Sequence, residues 1–178
     1  GNAAFERFSA AQIRKFFQEA PGAYERTAHI SLVSSFVASV LAGTVVPVDV
    51  GDGSGTNLMD IHTRQWSAVL QQAAAPGLGE RMTPVVASSR PVGSIHPYFV
   101  ERYGFPDDCL IVPFSGDNPC SLIGLGMVEP GQAALSLGTS DTLFACISLT
   151  REKPALSWAG EGNIFASPDD ENYMALTC

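Results

Sequence analysis

The chain has 178 residues, of which 46% are hydrophobic and 16% are charged, a composition typical of an ordered globular protein rather than a disordered one. Ten Lys and Arg against eighteen Asp and Glu give a net charge of −8, without any cluster of basic residues. This charge argues against binding along a nucleic-acid backbone, because nothing in the chain would displace its counterions. A single anionic nucleotide remains compatible, since backbone N–H groups and a metal ion can balance its charge locally.

Neither end of the sequence has the features of a natural terminus or a targeting signal. The chain lacks an initiating Met, begins with a neutral stretch, and stops inside an apolar run at residues 173–178. We therefore expect an internal fragment of a longer protein, without a signal peptide. The four cysteines show no C-x-x-C spacing and no adjacent His, which predicts reduced thiols in a cytoplasmic protein and argues against a zinc site.

Two helices are predicted in the first quarter of the chain. Ser9 is the expected N-cap of the first, with Gln12 completing a capping box, and Pro21 is expected to end it. The second has an apolar face that we expect in the core and a small face suited to close packing on a sheet. The apolar face comprises Leu32, Val33, Phe36, Val37, Val40 and Leu41, and the small face Ser31, Ser34, Ser35, Ala38 and Ser39. This helix falls short of the roughly 20 apolar residues that a membrane span needs, so no membrane partner is predicted.

A glycine-rich stretch, DVGDGSGTN at residues 49–57, follows an apolar strand predicted at residues 45–48. It is compatible with a phosphate cradle, a calcium loop or a flexible turn, although it has neither the spacing of a P-loop nor the pattern of an EF-hand. For Asp52 and the nearby Asp60 we expect hydrogen bonds within the loop, and neither is assigned to a metal.

Three further elements lead towards the middle of the chain. Thr63 is expected to cap a helix, and residues 83–86 are expected to be extended. That helix is predicted to bury Trp66, Val69, Leu70 and Ala73. A further helix is predicted at residues 97–103, with His96 more suited to a cap or surface position than to a base.

The stretch with the most chemical information begins with an apolar run at residues 110–113, which predicts a short buried strand. This strand would deliver Gly116 and Asp117 to its carboxyl end, and a small-residue helix is predicted at residues 121–127. An acid at a strand–helix corner can accept a proton from a reacting hydroxyl. An N-cap of the following helix is the alternative role for Asp117.

Two apolar runs then flank Gly138, Thr139 and Ser140, which predicts a hairpin. A turn of glycine and hydroxyl residues offers N–H and O–H donors to phosphate oxygens. Together with the acid at Asp117, it supplies two parts of a phosphoryl-transfer site. An ordinary turn is the alternative for Thr139 and Ser140.

Helices that alternate with short apolar strands predict an α/β architecture. We expect a domain boundary between about Pro106 and Ser115, just ahead of Asp117. A site at such a junction would suit closure of two domains around two substrates.

Four motifs, in order along the chain, resemble the FGGY carbohydrate kinases and, within that family, the eukaryotic xylulokinases. The motifs are ERFS at residues 6–9, DVGDGSGTNLMD at residues 49–60, GDNP at residues 116–119 and SLGTSDTLF at residues 136–144. The resemblance covers essentially the whole chain. It implies an α/β ribonuclease-H/actin-like ATPase fold with parts of two domains and a cleft between them. Residues 1–110 would form the later part of the first, sugar-binding domain, and residues 111–178 the start of the second.

The resemblance also implies roles for single residues. Asp117 would be the general base that accepts the proton of the sugar hydroxyl as it attacks ATP. Asn118 would hydrogen-bond the ketose, and Arg7 would contact the same sugar from the first domain. The phosphate-binding turn would consist of Gly138, Thr139 and Ser140. D-xylulose and MgATP would be the substrates, with the metal and the adenine bound by other parts of the enzyme, so the fragment alone is expected to be inactive.

Three alternatives remain open at this point. Another FGGY kinase, acting on ribulose, gluconate or glycerol, shares most of these features. A non-enzymatic, actin-like protein that binds nucleotide or sugar would have no need of the acid at Asp117. A structural α/β domain could contain the same glycine turns without any ligand. No oligomeric state is predicted.

Overall fold

A computed structural model describes residue 2 and residues 4–138, 141–148 and 162–177 of the chain. Within these ranges the helices are α1 (Ser9–Glu19), α2 (Pro21–Glu25), α3 (Val33–Ala42), α4 (Val50–Ser54), α5 (Ala68–Ala74), α6 (Pro97–Tyr103) and α7 (Asp117–Gly124), with a 3₁₀ turn at Leu78–Glu80. The strands are β1 (Val48–Asp49), β2 (Met59–Asp60), β3 (Gln65–Trp66), β4 (Val85–Val86), β5 (Gly93–Ser94), β6 (Leu110–Ile111), β7 (Ala133–Ser136), β8 (Thr142–Ile147), β9 (Asn163–Ala166) and β10 (Tyr173–Thr177). This mixture of helices and strands agrees with the predicted α/β class.

The strands form three small pairs and one larger sheet. β1 pairs with β4 in parallel, whereas β2 with β3 and β5 with β6 are antiparallel. The larger sheet is antiparallel, with the order β7-β8-β10-β9. The hairpin that was predicted around Gly138 is confirmed, because Ser136 of β7 pairs with Thr142 of β8.

Helix α1 begins at Ser9, one residue earlier than predicted, and the capping expectation was wrong. Phe8 is the N-cap residue and no side chain caps the helix. The backbone N–H of Ala10 donates instead to the carbonyl of Thr56 at 3.0 Å, and Gln12 Nε2 donates to the carbonyl of Glu6 at 2.6 Å. The carbonyl of Thr56, which is distant in sequence, therefore accepts a hydrogen bond from an N–H at the start of α1. An N-cap side chain would otherwise accept such a bond.

Helix α3 packs through its small face, as predicted, while the prediction that its apolar face lies in the core was wrong. Ser35 and Ala38 are buried and face β1 and β6. Four members of the apolar face are at least 41% exposed. They are Val33, Phe36, Val37 and Val40. Small side chains let the helix backbone approach the strands, which turns the larger side chains outwards. Within the described ranges, no helix has both the length and the apolar character that crossing a bilayer requires.

The glycine-rich stretch does not form a flexible turn, because residues 50–54 are helical and constitute α4. The next predicted helix also differs from expectation. Ser67 caps α5, not Thr63, since Trp66 belongs to the β2–β3 pair. The residues that α5 buries are Gln71 and Ala74, whereas Val69 is 78% exposed.

The remaining predicted elements agree more closely with the structure. β4 lies within the predicted extended segment, and His96 caps α6 by accepting a hydrogen bond from the backbone N–H of Tyr98 at 3.2 Å. The predicted strand before Asp117 is present as β6, although it is shorter and Leu110 is 60% exposed.

Helix α7 packs on the larger sheet, and a hydrophobic core lies between the helix and the sheet. Leu122 is fully buried against Phe144 and Cys146 of β8 and Met174 of β10. The sheet in turn contacts the preceding part of the chain through β9, where the backbone N–H of Ala166 donates to Ser54 Oγ at 3.0 Å. This packing holds the start of α7 beside α4.

Side chains occupy the outer edge of β9. Asn2 pairs with Ile164 as a neighbouring strand would, since its Nδ2 donates to the carbonyl at 3.0 Å and its Oδ1 accepts from the N–H at 2.7 Å. Arg64 anchors the turn between β9 and β10 by donating to the carbonyls of Asp170 and Asn172. The larger sheet is thus tied to the first half of the chain at several points.

Candidate functional site

Asp117 is the first residue of α7, directly after the N-cap residue Gly116. Its side chain is exposed, and its Oδ1 accepts a hydrogen bond from the backbone N–H of Asn118 at 2.8 Å. Asp117 is therefore not the cap of α7, although it lies in the first helical turn. An exposed carboxylate that has one oxygen held by the helix can accept a proton through the other.

Asn118 lines a cavity of about 470 Å³ between α7 and the β7–β8 hairpin. The other lining residues are Ser121, Gly124, Leu125, Ala134, Leu135, Ser136, Thr142 and Phe144. Ser136 and Thr142 stand at the end of the hairpin, next to the turn that was predicted to bind phosphate. The cavity therefore extends from the acid-bearing end of α7 towards that turn.

The predicted phosphate turn is described only in part. Gly138 is exposed and lies in a bend after β7. Thr139 and Ser140 lie outside the described residues. The phosphate-binding role of all three stays a prediction.

Arg7 lies in a turn ahead of α1 and is exposed. Its guanidinium lies 5.0 Å from the centre of the Phe5 ring, a cation–π contact. In the described part of the chain no contact joins Arg7 to Asp117 or Asn118, so the structure does not bring these predicted sugar ligands together. The role of Arg7 likewise stays a prediction.

A hydrogen-bonded acidic network lies behind the start of α7, and the sequence did not predict it. Asp49 is fully buried and caps α4, since its Oδ2 accepts from the backbone N–H of Asp52 at 2.9 Å and its Oδ1 accepts from Ser88 Oγ. Asp52 Oδ2 accepts a hydrogen bond from Ser34 Oγ. One signal could have identified Asp49: it follows a short apolar strand, as Asp117 does, and polar groups at carboxyl ends of strands gather at one edge of such folds.

Asp52 of the glycine-rich stretch and the nearby Asp60 differ in their electrostatics. Burial raises the pKa of Asp52, and the charges of Asp49 and Asp117 raise it further, although the hydrogen bond from Ser34 acts in the opposite direction. The backbone N–H groups of His62 and Thr63 lower the pKa of Asp60. The predicted loop hydrogen bonds are confirmed for Asp60, while Asp52 is bonded to a different helix.

Three comparisons with known proteins give a consistent result. The sequence profile of the FGGY family of carbohydrate kinases, N-terminal domain, matches residues 1–124. A xylulose kinase from Mus musculus is 49% identical over 179 residues, and xylulose kinase 2 from Arabidopsis thaliana is 46% identical over 178 residues. These matches cover 100% and 99% of this chain, which spans 31% of the length of either relative.

Solved structures of sugar kinases share the fold. A xyloylose (xylulose) kinase from Brucella ovis superposes with a TM-score of 0.88 at 25% identity, covering 98% of this chain and 35% of that one. A glycerol kinase from Plasmodium falciparum with ADP gives a TM-score of 0.79 at 22% identity, covering 99% and 35%; this likeness concerns the fold alone. The predicted actin-like ATPase fold is confirmed.

Proposed function

Since the chain belongs to the FGGY family of carbohydrate kinases, we propose that the protein containing it transfers the terminal phosphoryl group of ATP to D-xylulose, giving D-xylulose 5-phosphate. Relatives named xylulose kinase support the choice of sugar. The observation that carries the reaction type is the exposed carboxylate of Asp117, beside Asn118 at a cavity of about 470 Å³.

The proposed chemistry requires no covalent intermediate with the protein. The sugar hydroxyl oxygen forms a bond to the γ-phosphorus while the bond from that phosphorus to the β–γ bridging oxygen breaks, and ADP leaves. Asp117 accepts the hydroxyl proton through the carboxylate oxygen that the Asn118 N–H does not hold. The protein's main contributions are orientation and charge stabilisation, as in other phosphoryl transfers.

The other binding roles follow from the same proposal. Asn118 hydrogen-bonds the sugar and Arg7 contacts it from the first domain. The phosphates of ATP bind the turn formed by Gly138, Thr139 and Ser140. Support comes from the cavity, which reaches the hairpin end beside this turn, and from the exposed guanidinium of Arg7.

We place the division between the two domains at residues 110 and 111. Support comes from the hydrophobic clusters. Ile95 packs in the same cluster as Phe114, ahead of α7, whereas Leu122 of α7 packs with the larger sheet. The cluster membership therefore changes between Phe114 and Leu122, a few residues after the proposed division.

Magnesium is the expected companion of ATP, because nucleotide phosphates need charge compensation during transfer. Among the described residues, no group of three or more His, Cys, Asp or Glu side chains could hold a metal ion. These residues do not fit a metal site by themselves, and no step of the reaction is assigned to the ion.

A cytoplasmic location is the last part of the proposal. Its support is that Cys109, Cys120 and Cys146 are free thiols, as a reducing compartment would keep them. Cys120 is exposed, whereas Cys146 is buried.

The proposal is tested by substrate choice in the natural full-length protein. Rates of ADP release with D-xylulose, ribulose, gluconate and glycerol should show the highest kcat/KM for D-xylulose. A clear preference for another acceptor would still support kinase activity, but it would show that D-xylulose is not the preferred substrate. No transfer to any of the four would overturn the proposed function.

The role of the base is tested by Asp117→Ala in the same protein. We expect kcat to fall by about 10²–10⁴-fold, the usual contribution of a general base, while D-xylulose still binds. Asp107→Ala, which removes an exposed acid of the loop before β6, is the matched control and should leave kcat unchanged. Near-normal turnover of Asp117→Ala would remove Asp117 as the base.

A further inference from the structure

Asp52 makes two hydrogen bonds, one through its side chain and one through its backbone. Ser34 of α3 donates a hydrogen bond from its Oγ to Asp52 Oδ2. The backbone N–H of Asp52 donates to Asp49 Oδ2 at 2.9 Å. Asp52 therefore joins α3 and α4, and its second carboxylate oxygen, Oδ1, is left to face another part of the molecule.

That second oxygen lies against Gly116, the residue directly before Asp117. A Cβ atom placed on Gly116 would stand 3.0 Å from Asp52 Oδ1 and 3.5 Å from its Cγ. The backbone of Gly116 has φ −71° and ψ 165°, a conformation that any residue can adopt. Glycine is thus needed at this position for close approach and not for its dihedral freedom.

Keeping a charge at Asp52 opposes folding. Burial raises the pKa of this carboxyl, and the neighbouring charges of Asp49 and Asp117 act in the same direction. A neutral side chain of the same shape would avoid the free-energy cost of burying a charge. It would still accept the hydrogen bond from Ser34 Oγ. A positioning role of Asp52 would therefore depend on the shape and contacts of its side chain and not on its charge.

We propose that Asp52 is a positioning residue for the base: held by Ser34, it sets where Gly116 can lie and thereby where α7 presents Asp117. This inference rests on the proposed kinase function and adds to it a residue that does not itself touch the substrates. Because Gly116 is the N-cap of α7, a shift of Gly116 would move Asp117 relative to a sugar bound at Asn118. Misplacement of reacting groups by about 1 Å can lower a rate by about 10²-fold.

The first test compares variants of the natural full-length protein. Asp52→Ala should lower kcat by about 10- to 100-fold while KM for the sugar changes by less than about 3-fold, because the base is displaced and the sugar contacts remain. Asp52→Asn keeps the shape and the acceptor for Ser34, so it should retain kcat within about 3-fold. The kcat of Ser34→Ala should lie between the values of Asp52→Ala and Asp52→Asn.

A loss of folded protein would also lower the apparent kcat, so each variant needs two further measurements. Sugar-binding stoichiometry gives the fraction of competent protein, and a melting curve shows that the assay temperature lies below unfolding. Asp60→Ala is the matched control, since it removes a nearby exposed aspartate that also accepts backbone hydrogen bonds. Its kcat should equal that of the wild type.

A double-mutant cycle tests the contact itself. Gly116→Ala adds a Cβ against Asp52 Oδ1 and should lower kcat in the wild-type background. In the Asp52→Ala background the clash is gone, so the same change should lower kcat by less than about 3-fold further. The poorer capping by Ala than by Gly applies in both backgrounds and cancels.

The outcomes separate this inference from the proposed function. If the wild type phosphorylates a sugar but Asp52→Ala leaves kcat unchanged, or if the effects of Asp52→Ala and Gly116→Ala are additive, the positioning role is wrong. A loss of kcat that only follows the loss of competent protein also overturns it. If the wild type transfers phosphate to no acceptor, the proposed function fails, and with it the role that this inference assigns to Asp52.

Discussion

Residues 49–57 and residues 136–141 look alike in sequence, because both combine glycine with hydroxyl and carboxylate side chains. The structure uses them in opposite ways. The first stretch contains α4, and its Asp49 is 0% exposed, whereas Leu137 at the end of the β7–β8 hairpin is 75% exposed. Both were candidate phosphate cradles in the sequence. Ser54 and Asn57 of the first line a cavity of about 510 Å³, whereas Ser136 of the second lines the cavity beside Asn118.

The glycines explain much of this difference. A Cβ on Gly51 would lie 2.7 Å from Ser115 Oγ, and one on Gly53 would lie 3.4 Å from Val48 and 3.5 Å from Trp66. Neither glycine has a positive φ. In α4, glycine therefore allows close packing of neighbouring elements, and the side chains of Asp52 and Ser54 hydrogen-bond Ser34, Gly51 and Ala166. Glycine-rich composition alone cannot distinguish the two uses.

The largest effect should come from removing the buried cap of α4. Asp49→Ala leaves the N–H of Asp52 and the hydroxyl of Ser88 without their acceptor, and we expect the free energy of unfolding to fall by about 3 kcal/mol. Thermal or denaturant unfolding of the full-length protein measures this. A fall below about 0.5 kcal/mol, the range of surface substitutions, would show that α4 is not the tightly packed region described here.

A smaller loss is expected when the close approach at α4 is filled. Gly51→Ala would place its Cβ 2.7 Å from Ser115 Oγ and 2.9 Å from Asp49 Oδ2, so we expect destabilisation of about 2 kcal/mol. Gly124→Ala, at the end of α7 with nothing within 4 Å of the new atom, is the matched control and should be neutral or stabilising. Equal effects of the two changes would contradict the packing role of Gly51.

The pH dependence of stability separates Asp52 of the glycine-rich stretch from the nearby Asp60. Because the pKa of Asp52 is raised by burial, the folded state binds a proton that the unfolded state has released, and stability falls as pH rises from the ordinary aspartate pKa through the raised one. Asp52→Asn removes this fall, so its melting temperature relative to the wild type should improve as pH rises above the ordinary aspartate pKa.

Asp60 should behave in the opposite way and serves as the control for that experiment. Backbone hydrogen bonds from His62 and Thr63 lower its pKa, so its contribution to stability is present above the ordinary aspartate pKa and is lost as pH falls through the lowered one. Asp60→Asn should therefore lose melting temperature relative to the wild type as pH rises. The same sign for both variants would show that their environments do not differ as described.

The smallest effect is expected at the hairpin. Leu137→Ala should change the free energy of unfolding by no more than about 0.5 kcal/mol, because the side chain is 75% exposed. Equilibrium unfolding of the full-length protein checks this value. A loss comparable to that of Asp49→Ala would mean that this end of the hairpin is buried in the complete protein.

The sequence predicted best those features that depend on local pattern. The α6 helix with its His96 cap, the β7–β8 hairpin and the exposed acid before the body of α7 all follow from capping, alternation and turn chemistry. The motifs that resemble a known family then supplied the fold, which no local pattern contains.

The errors share one physical cause, which is that a distant partner decides between local alternatives. Ser9 is a good cap by composition, yet the carbonyl of Thr56 satisfies the start of α1. Phe36 is apolar but 59% exposed, because serines and Ala38 pack α3 on its neighbours. Asp52 could not be linked to Ser34, 18 residues away, by spacing alone. Such contacts become visible only when the elements are assembled.

The pairing of Asn2 with Ile164 limits how the larger sheet can grow. An exposed edge strand is a template on which strands of other chains can add, and proteins protect such edges. On β9 the side chains of Asn2 and Ser54 occupy the hydrogen-bonding groups of Ile164 and the N–H of Ala166. Addition of a foreign strand at β9 would have to displace them first.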